Sequence, residues 1–223
     1  MTVRSSLVAT ILADESIDCG LSITQDEINS FTVLADELKK WNNKINLTAI
    51  RSEKEIAVKH FVDSLHLSTL ITSEDRLLDI GSGAGFPVLP LKIVKPATEM
   101  MSVDCVAKKI NFQRHIIRTL RLTKIEAVHA RVEELQKKYD QTFTVIVSRA
   151  FTRLDHFVSL AAPLLSEGGR LIAMKGDDVE DEIGVSDSAI SALGFCVAST
   201  QRYCLPYTMG KRAITVLTPR EAA

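Results

Sequence analysis

The stretch Leu77-Leu78-Asp79-Ile80-Gly81-Ser82-Gly83-Ala84-Gly85-Phe86-Pro87 runs a short apolar strand directly into a glycine-rich turn. Glycine at alternate positions lets a backbone bend sharply and approach a ligand where any Cβ would collide. Pro87 suits the first turn of a following helix, where a missing N–H costs nothing. A turn of this kind, at the carboxyl end of a first strand, is where an α/β sheet seats a nucleotide-like cofactor.

Spacing narrows the cofactor. The dinucleotide fingerprint needs glycines at its first, third and sixth positions, and the sixth here is Phe86, which argues against a pyrophosphate on the helix start and so against NAD or FAD. No Gly-Lys-Ser/Thr closes the turn, so a phosphate-cradling loop is excluded as well. A ligand with an adenosine and no phosphate remains, and S-adenosylmethionine is the common one. Asp104 ends the run Glu99-Met100-Met101-Ser102-Val103-Asp104 and supplies the carboxylate expected about 20 residues after the turn to accept from ribose hydroxyls. Gly81, Gly83 and Asp104 are thus candidate cofactor residues. A nucleotide-binding protein without catalysis fits the same bare pattern.

Composition bounds the rest. The 223 residues, 46% apolar and 25% charged, suit one globular domain with a smaller appendage. A net charge of -1 advertises no global attraction to nucleic acid, so any RNA contact must come from a local patch. Cys19, Cys105, Cys196 and Cys204 lack metal or disulfide spacing, which suits a reducing compartment. The apolar run Leu7 to Ala13 behind Arg4 resembles a secretion signal superficially; it is short, runs into Asp14 and Glu15, and is read as a helix. No stretch reaches membrane-spanning length.

Residues 1–72 read as a helical extension. Thr24 with Glu27 makes a capping box, followed by an apolar stripe of Ile28, Phe31, Leu34, Leu38, Trp41 and Ile45. Ser52 with Glu55 opens a second helix whose polar side carries Lys59, His60, Asp63 and His66, either solvated or facing a cleft. From 73 to 223 strands alternate with helices, the signature of a parallel sheet. Strands are expected near 77–80, 98–104, 124–129, 143–149, 169–174, 194–204 and 212–218, and helices near 87–95, 106–121, 153–165 and 178–192. No helix separates the last two strands, which should pair as an antiparallel hairpin at a sheet edge. A seven-stranded, mostly parallel α/β sheet ending in such a hairpin is the Rossmann-like arrangement of class I S-adenosylmethionine-dependent methyltransferases.

Two loops should complete the pocket. In Val128-His129-Ala130-Arg131-Val132-Glu133-Glu134, Val132 can cover an adenine face and Glu133 can satisfy its polar edge, although Glu133 also reads as a charge at a helix N-terminus. In Ser148-Arg149-Ala150-Phe151, Arg149 can anchor the cofactor's carboxylate bidentately, or form a surface ion pair. This loop has neither the Asn/Asp-Pro-Pro-aromatic tetrapeptide of exocyclic-amine methylation nor a Pro-Cys nucleophile. Its lack favours an acceptor that needs no activation, such as guanine N7 with its free lone pair, and no catalytic residue is assigned. Lys175 can steer substrate or stay solvated. Between 108 and 124 lie Lys108, Lys109, Arg114, Arg118, Arg121 and Lys124 with no acidic residue, a candidate RNA-facing surface.

Taken in order, Trp41-Asn42-Asn43-Lys44-Ile45-Asn46-Leu47-Thr48, His60-Phe61-Val62-Asp63-Ser64-Leu65, Asp79 to Pro90, Lys108-Lys109, Arg131-Val132-Glu133-Glu134, Ser148-Arg149-Ala150 and Lys175-Gly176 resemble the glucose-inhibited division protein B family, the bacterial ribosomal RNA small subunit methyltransferases G. The resemblance spans nearly the whole chain. It implies methylation of guanine N7 in the 530 loop of 16S rRNA, with S-adenosylmethionine as donor and a cytoplasmic location; the acceptor is naked rRNA or a small-subunit particle, and a monomer is expected. It also implies cofactor contacts at Gly81, Phe86, Val132, Glu133 and Arg149. Pro87-Val88 and Asp104-Cys105 depart from the family's usual Pro-Gly and acidic-Ser pairs. The rival readings are a methyltransferase of protein or small molecules, and a non-catalytic cofactor- and RNA-binding module.

Overall fold

The computed structural model describes residues 6–220; residues 1–5, with the Arg4 of the signal-like run, and 221–223 lie outside them. The run that resembled a signal is helix α1 (Leu7–Glu15), with Val8, Ile11 and Leu12 buried. In α2 (Gln25–Ile45) the Thr24 hydroxyl accepts from the Glu27 N–H while the Glu27 side chain accepts from the Thr24 N–H, so the capping box is complete. Phe31, Leu34 and Leu38 of its stripe are buried, and Asn46 ends it in the left-handed region. Ser52 caps the next helix, which is not uniform: α3 (Glu53–Glu55) passes into a π-helical segment, Ile56–Val62, and out through α4 (Asp63–Leu65).

The expected alternation follows: β1 (Arg76–Ile80), α5 (Val88–Val94), β2 (Glu99–Asp104), α6 (Ala107–Thr119), β3 (Ile125–His129), α7 (Val132–Tyr139), β4 (Phe143–Arg149), α8 (Leu154–Ala161), β5 (Leu165–Lys175), α9 (Val179–Ala192), β6 (Phe195–Cys204) and β7 (Lys211–Pro219). They form one seven-stranded sheet in the order β3-β2-β1-β4-β5-β7-β6, with β7 antiparallel to both neighbours. Three details differ from expectation. Pro87 occupies the cap of α5 instead of its first turn, after a cis Phe86–Pro87 peptide. The loop after β3 is the short helix α7. Strand β5 starts at Leu165, paired with Phe143 across a register shift.

Side chains alternate between the two faces of the sheet, so neighbouring residues serve different cores. Leu77, Val145, Val147 and Ile172 share a cluster with Phe31 and Phe61 of the N-terminal helices, Phe86 of the glycine turn and Phe112 of α6. Leu78, Ile80, Ile146 and Leu171 pack on the other side with Leu154 and Phe157. The helical extension therefore shares its core with one face of the sheet, and that packing brings the π-helical segment to the carboxyl ends of the strands. Among the described residues no helix is long and apolar enough to cross a membrane.

Candidate functional site

A cavity of about 490 Å3 opens at the carboxyl ends of β1 and β2, lined by Gly81, Asp104, Val132, Glu133, Ala150 and Phe151 among others. Its volume is that of a small-molecule site. The turn over it is held by Asp104, whose Oδ2 accepts from the Gly83 N–H at 2.9 Å and whose Oδ1 accepts from the Val106 N–H at 2.8 Å. One carboxylate thus ties the glycine turn to the start of α6, and each oxygen retains capacity for a further donor. Gly81 and Gly83 have φ of +67° and +59°, where a side chain is strained. A Cβ on Gly83 would meet nothing within 4 Å, so open space faces the turn there. A Cβ on Gly81 would overlap the Phe151 ring, which fills the space expected for adenosine directly above that residue.

Val132 opens α7 and is buried, while Glu133 lies exposed in its first turn, so Glu133 both faces the cavity and complements the helix N-terminus. Phe86 does not line the cavity: it is 3% exposed and stacks on His60 with ring centroids 4.1 Å apart and planes 1° from parallel. It lies behind the turn as packing.

Arg149 turns the other way. It lines a second cavity of about 340 Å3, shared with His60, Asp63, Lys175 and Arg212, and Ala150 borders both cavities. Its Nη1 donates to the Lys59 carbonyl at 2.9 Å and to Asp63 Oδ2 at 3.3 Å, and its Nη2 donates to His60 Nδ1 at 3.1 Å. The bidentate carboxylate anchor expected of Arg149 would have to displace these partners. Asp63 also accepts from the Tyr203 hydroxyl at 2.8 Å. Burial, then the adjoining Arg149 and Lys59 charges, hold His60 well below its ordinary value, so the ring is neutral. The face carrying Lys59, His60 and Asp63 is accordingly a cleft wall, not a solvated surface.

Sequence reasoning passed over Asp79. Its side chain is fully buried, Oδ2 accepts from the Val88 N–H at 3.3 Å, and Oδ1 has no partner. Burial pushes its carboxyl up to about 8. An acidic residue inside an apolar strand was the available signal. Lys175 is not free: it donates to Glu182 at 2.7 Å. On the candidate RNA surface Arg114 and Arg118 are exposed, while Arg121 falls beyond the end of α6 and Arg114 Nε donates to the Ala127 carbonyl at 2.9 Å. Among the described residues no cluster of His, Cys, Asp and Glu is placed to hold a metal ion.

The family model for rRNA small subunit methyltransferase G matches residues 27–206. The ribosomal RNA small subunit methyltransferase G of Geobacter sulfurreducens is 46% identical over 204 residues, covering 92% of this chain and 94% of that protein. The protein of the same name from Desulfitobacterium hafniense is 41% identical, covering 89% and 83%. Among solved structures, ribosomal protein L11 methylase from Lactobacillus delbrueckii subsp. bulgaricus superposes with a TM-score of 0.56 at 12% identity over 73% of this chain and 79% of that one. Aeropyrum pernix fibrillarin with bound S-adenosyl-L-methionine does so at 0.53, with 12% identity over 65% and 66%. These distant likenesses show the fold: a class I methyltransferase sheet.

Proposed function

Because this chain belongs to the rRNA small subunit methyltransferase G family, we propose that it transfers a methyl group from S-adenosylmethionine to guanine N7 in the 530 loop of 16S ribosomal RNA. The observation that carries the reading is the glycine turn pinned by the Asp104 carboxylate at the mouth of a cavity of about 490 Å3. When bound, S-adenosylmethionine supplies an electrophilic methyl on a sulfonium centre. Asp104 accepts from the ribose hydroxyls, the open space at Gly83 lets the ligand lie close to the backbone with the Phe151 ring displaced from above Gly81, and Val132 covers the adenine face with Glu133 at its polar edge. Phe86 and Arg149 support the far end of the cleft through the His60 stack.

No side chain needs to remove a proton, since guanine N7 attacks with a free lone pair and the base becomes cationic. His60 could not serve as one in this arrangement: Nδ1 accepts from Arg149 and Nε2 lies 3.2 Å from the Thr48 hydroxyl. Rate enhancement then comes mainly from holding nitrogen and methyl in line, worth about 7–11 kcal/mol at best. On this reading residues 1–72 are an extension of a methyltransferase domain at 73–223, and the enzyme acts in the cytoplasm as a monomer on rRNA or a small-subunit particle. Incubation with labelled S-adenosylmethionine and 16S rRNA, followed by mapping of modified guanosines, tests it. Label at N7 of a 530-loop guanosine is expected; incorporation only into a protein or small-molecule fraction, or donor binding without turnover, would replace it with one of its rivals.

A further inference from the structure

The antiparallel hairpin carries the start of β7 to the same sheet edge as the carboxyl ends of β4 and β5, with Ala213 opposite Lys175 and Arg212 opposite Tyr203. Ligands of open α/β sheets bind along this edge. The second cavity lies there, next to the first, and Ala150 lines both. Its lining carries four cations, Lys59, Arg149, Lys175 and Arg212, and one carboxylate, Asp63.

Three of these cations are already engaged. Lys59 pairs with Glu55 at 2.8 Å, Lys175 with Glu182 at 2.7 Å, and Arg149 is held by Lys59, His60 and Asp63. Arg212 differs. It donates from Nη1 to the Lys211 carbonyl at 2.9 Å, and its Nε stands 3.8 Å from an Asp63 oxygen that the Tyr203 hydroxyl already occupies. Most of its N–H donors are uncommitted, its side chain is 30% exposed, and Gly210 has no Cβ to push the guanidinium away from the turn beside it. A partly exposed, weakly partnered guanidinium at the rim of a basic cavity is suited to bidentate capture of a phosphate.

We infer that the second cavity is the seat of the acceptor nucleotide, and that Arg212 binds a backbone phosphate of the RNA beside the target base. Asp63 is a positioning residue there: it touches Arg212, Arg149 and Tyr203 at once and sets where the guanidinium stands. This rests on the RNA-methylation reading above.

The test is Arg212→Gln and Arg212→Lys in the full chain, with 16S rRNA as probe. Arg212→Gln should raise KM for rRNA roughly tenfold, leave S-adenosylmethionine affinity within about twofold, and reduce the slope of log affinity against log salt by about 0.7–1. Arg212→Lys should restore the slope, since an ammonium also binds phosphate. An active wild type whose Arg212→Gln form keeps both KM and salt slope overturns the inference. So does loss of donor affinity with an unchanged slope, which would assign the guanidinium to the donor's carboxylate. Absence of rRNA methylation by the wild type would instead sink the proposed function.

Discussion

Arg149 Nη2 donates to His60 Nδ1 across 3.1 Å, and that bond decides the protonation of the ring. A guanidinium has no lone pair to offer, so Nδ1 must accept, and the proton resides on Nε2, 3.2 Å from the Thr48 hydroxyl. The neutral imidazole then lies flat on Phe86.

A first prediction concerns acid. His60 is held below its ordinary 6.5 by burial and by the Arg149 and Lys59 charges, so the unfolded chain takes up the proton first as pH falls. Stability contributed by the neutral ring is intact above pH 6.5 and is lost progressively below it, down to the folded-state value. Nitrogen-15 NMR should show an Nε2–H tautomer that does not titrate near 6.5, and His60→Gln should lose less stability than the wild type between pH 6.5 and 5. A ring titrating at its ordinary value would refute the assignment.

Asp79 has the opposite sign. Its folded value near 8 exceeds the unfolded 3.8, so the stability tied to its bound proton is full below 3.8 and declines as pH rises toward 8. Asp79→Asn should match the wild type in Tm at pH 4 and exceed it by a few degrees at pH 7.5. Equal melting curves at both pH values would show that the carboxyl is not held protonated.

The two glycines of the turn should fail for different reasons. Both sit at positive φ, which costs about 1 kcal/mol for any side chain. Gly81→Ala adds an overlap with Phe151, so its Tm should drop further and recover in the Gly81→Ala/Phe151→Ala double variant. Gly83→Ala meets no protein atom, so it should lower donor affinity more than stability, as read by calorimetry. A Gly83→Ala protein binding S-adenosylmethionine at wild-type strength would place the donor elsewhere.

On α6, Arg114 and Arg118 separate fold from patch. Removing Arg114 breaks its bond to the Ala127 carbonyl and should lower stability by about 1 kcal/mol, whereas Arg118→Ala should leave Tm unchanged while flattening the salt dependence of rRNA binding. An unaltered slope in Arg118→Ala would remove this helix from the RNA surface.

The sheet was legible because its signals are local. Glycine spacing after Ile80, the carboxylate at Asp104 and the short interval between β6 and β7, which holds a single 3-10 turn at Pro206–Thr208 and no α-helix, each act over a few residues, and each lies where expected. The cleft was legible only in part. Whether Lys59, His60 and Asp63 face water or a wall depends on how the extension docks on the sheet, and a π-helical segment leaves no mark in a single sequence. Arg149 was expected beside the donor because of its strand, but it continues the alternation of Val145 and Val147, which face the N-terminal helices, so its side chain turns to them, and Ala150 after it stands in the left-handed region at φ +49°. Asp79 read as part of a turn motif, and only its burial reveals an oxygen left alone.

That single kinked residue has a bearing on how the reaction is assembled. Arg149 leans into one chamber, Phe151 into the other, and Ala150 between them lines both. On the proposed reading, a donor in one chamber and an acceptor in the other would adjoin at Ala150, so the carbon would have only a short hop to make.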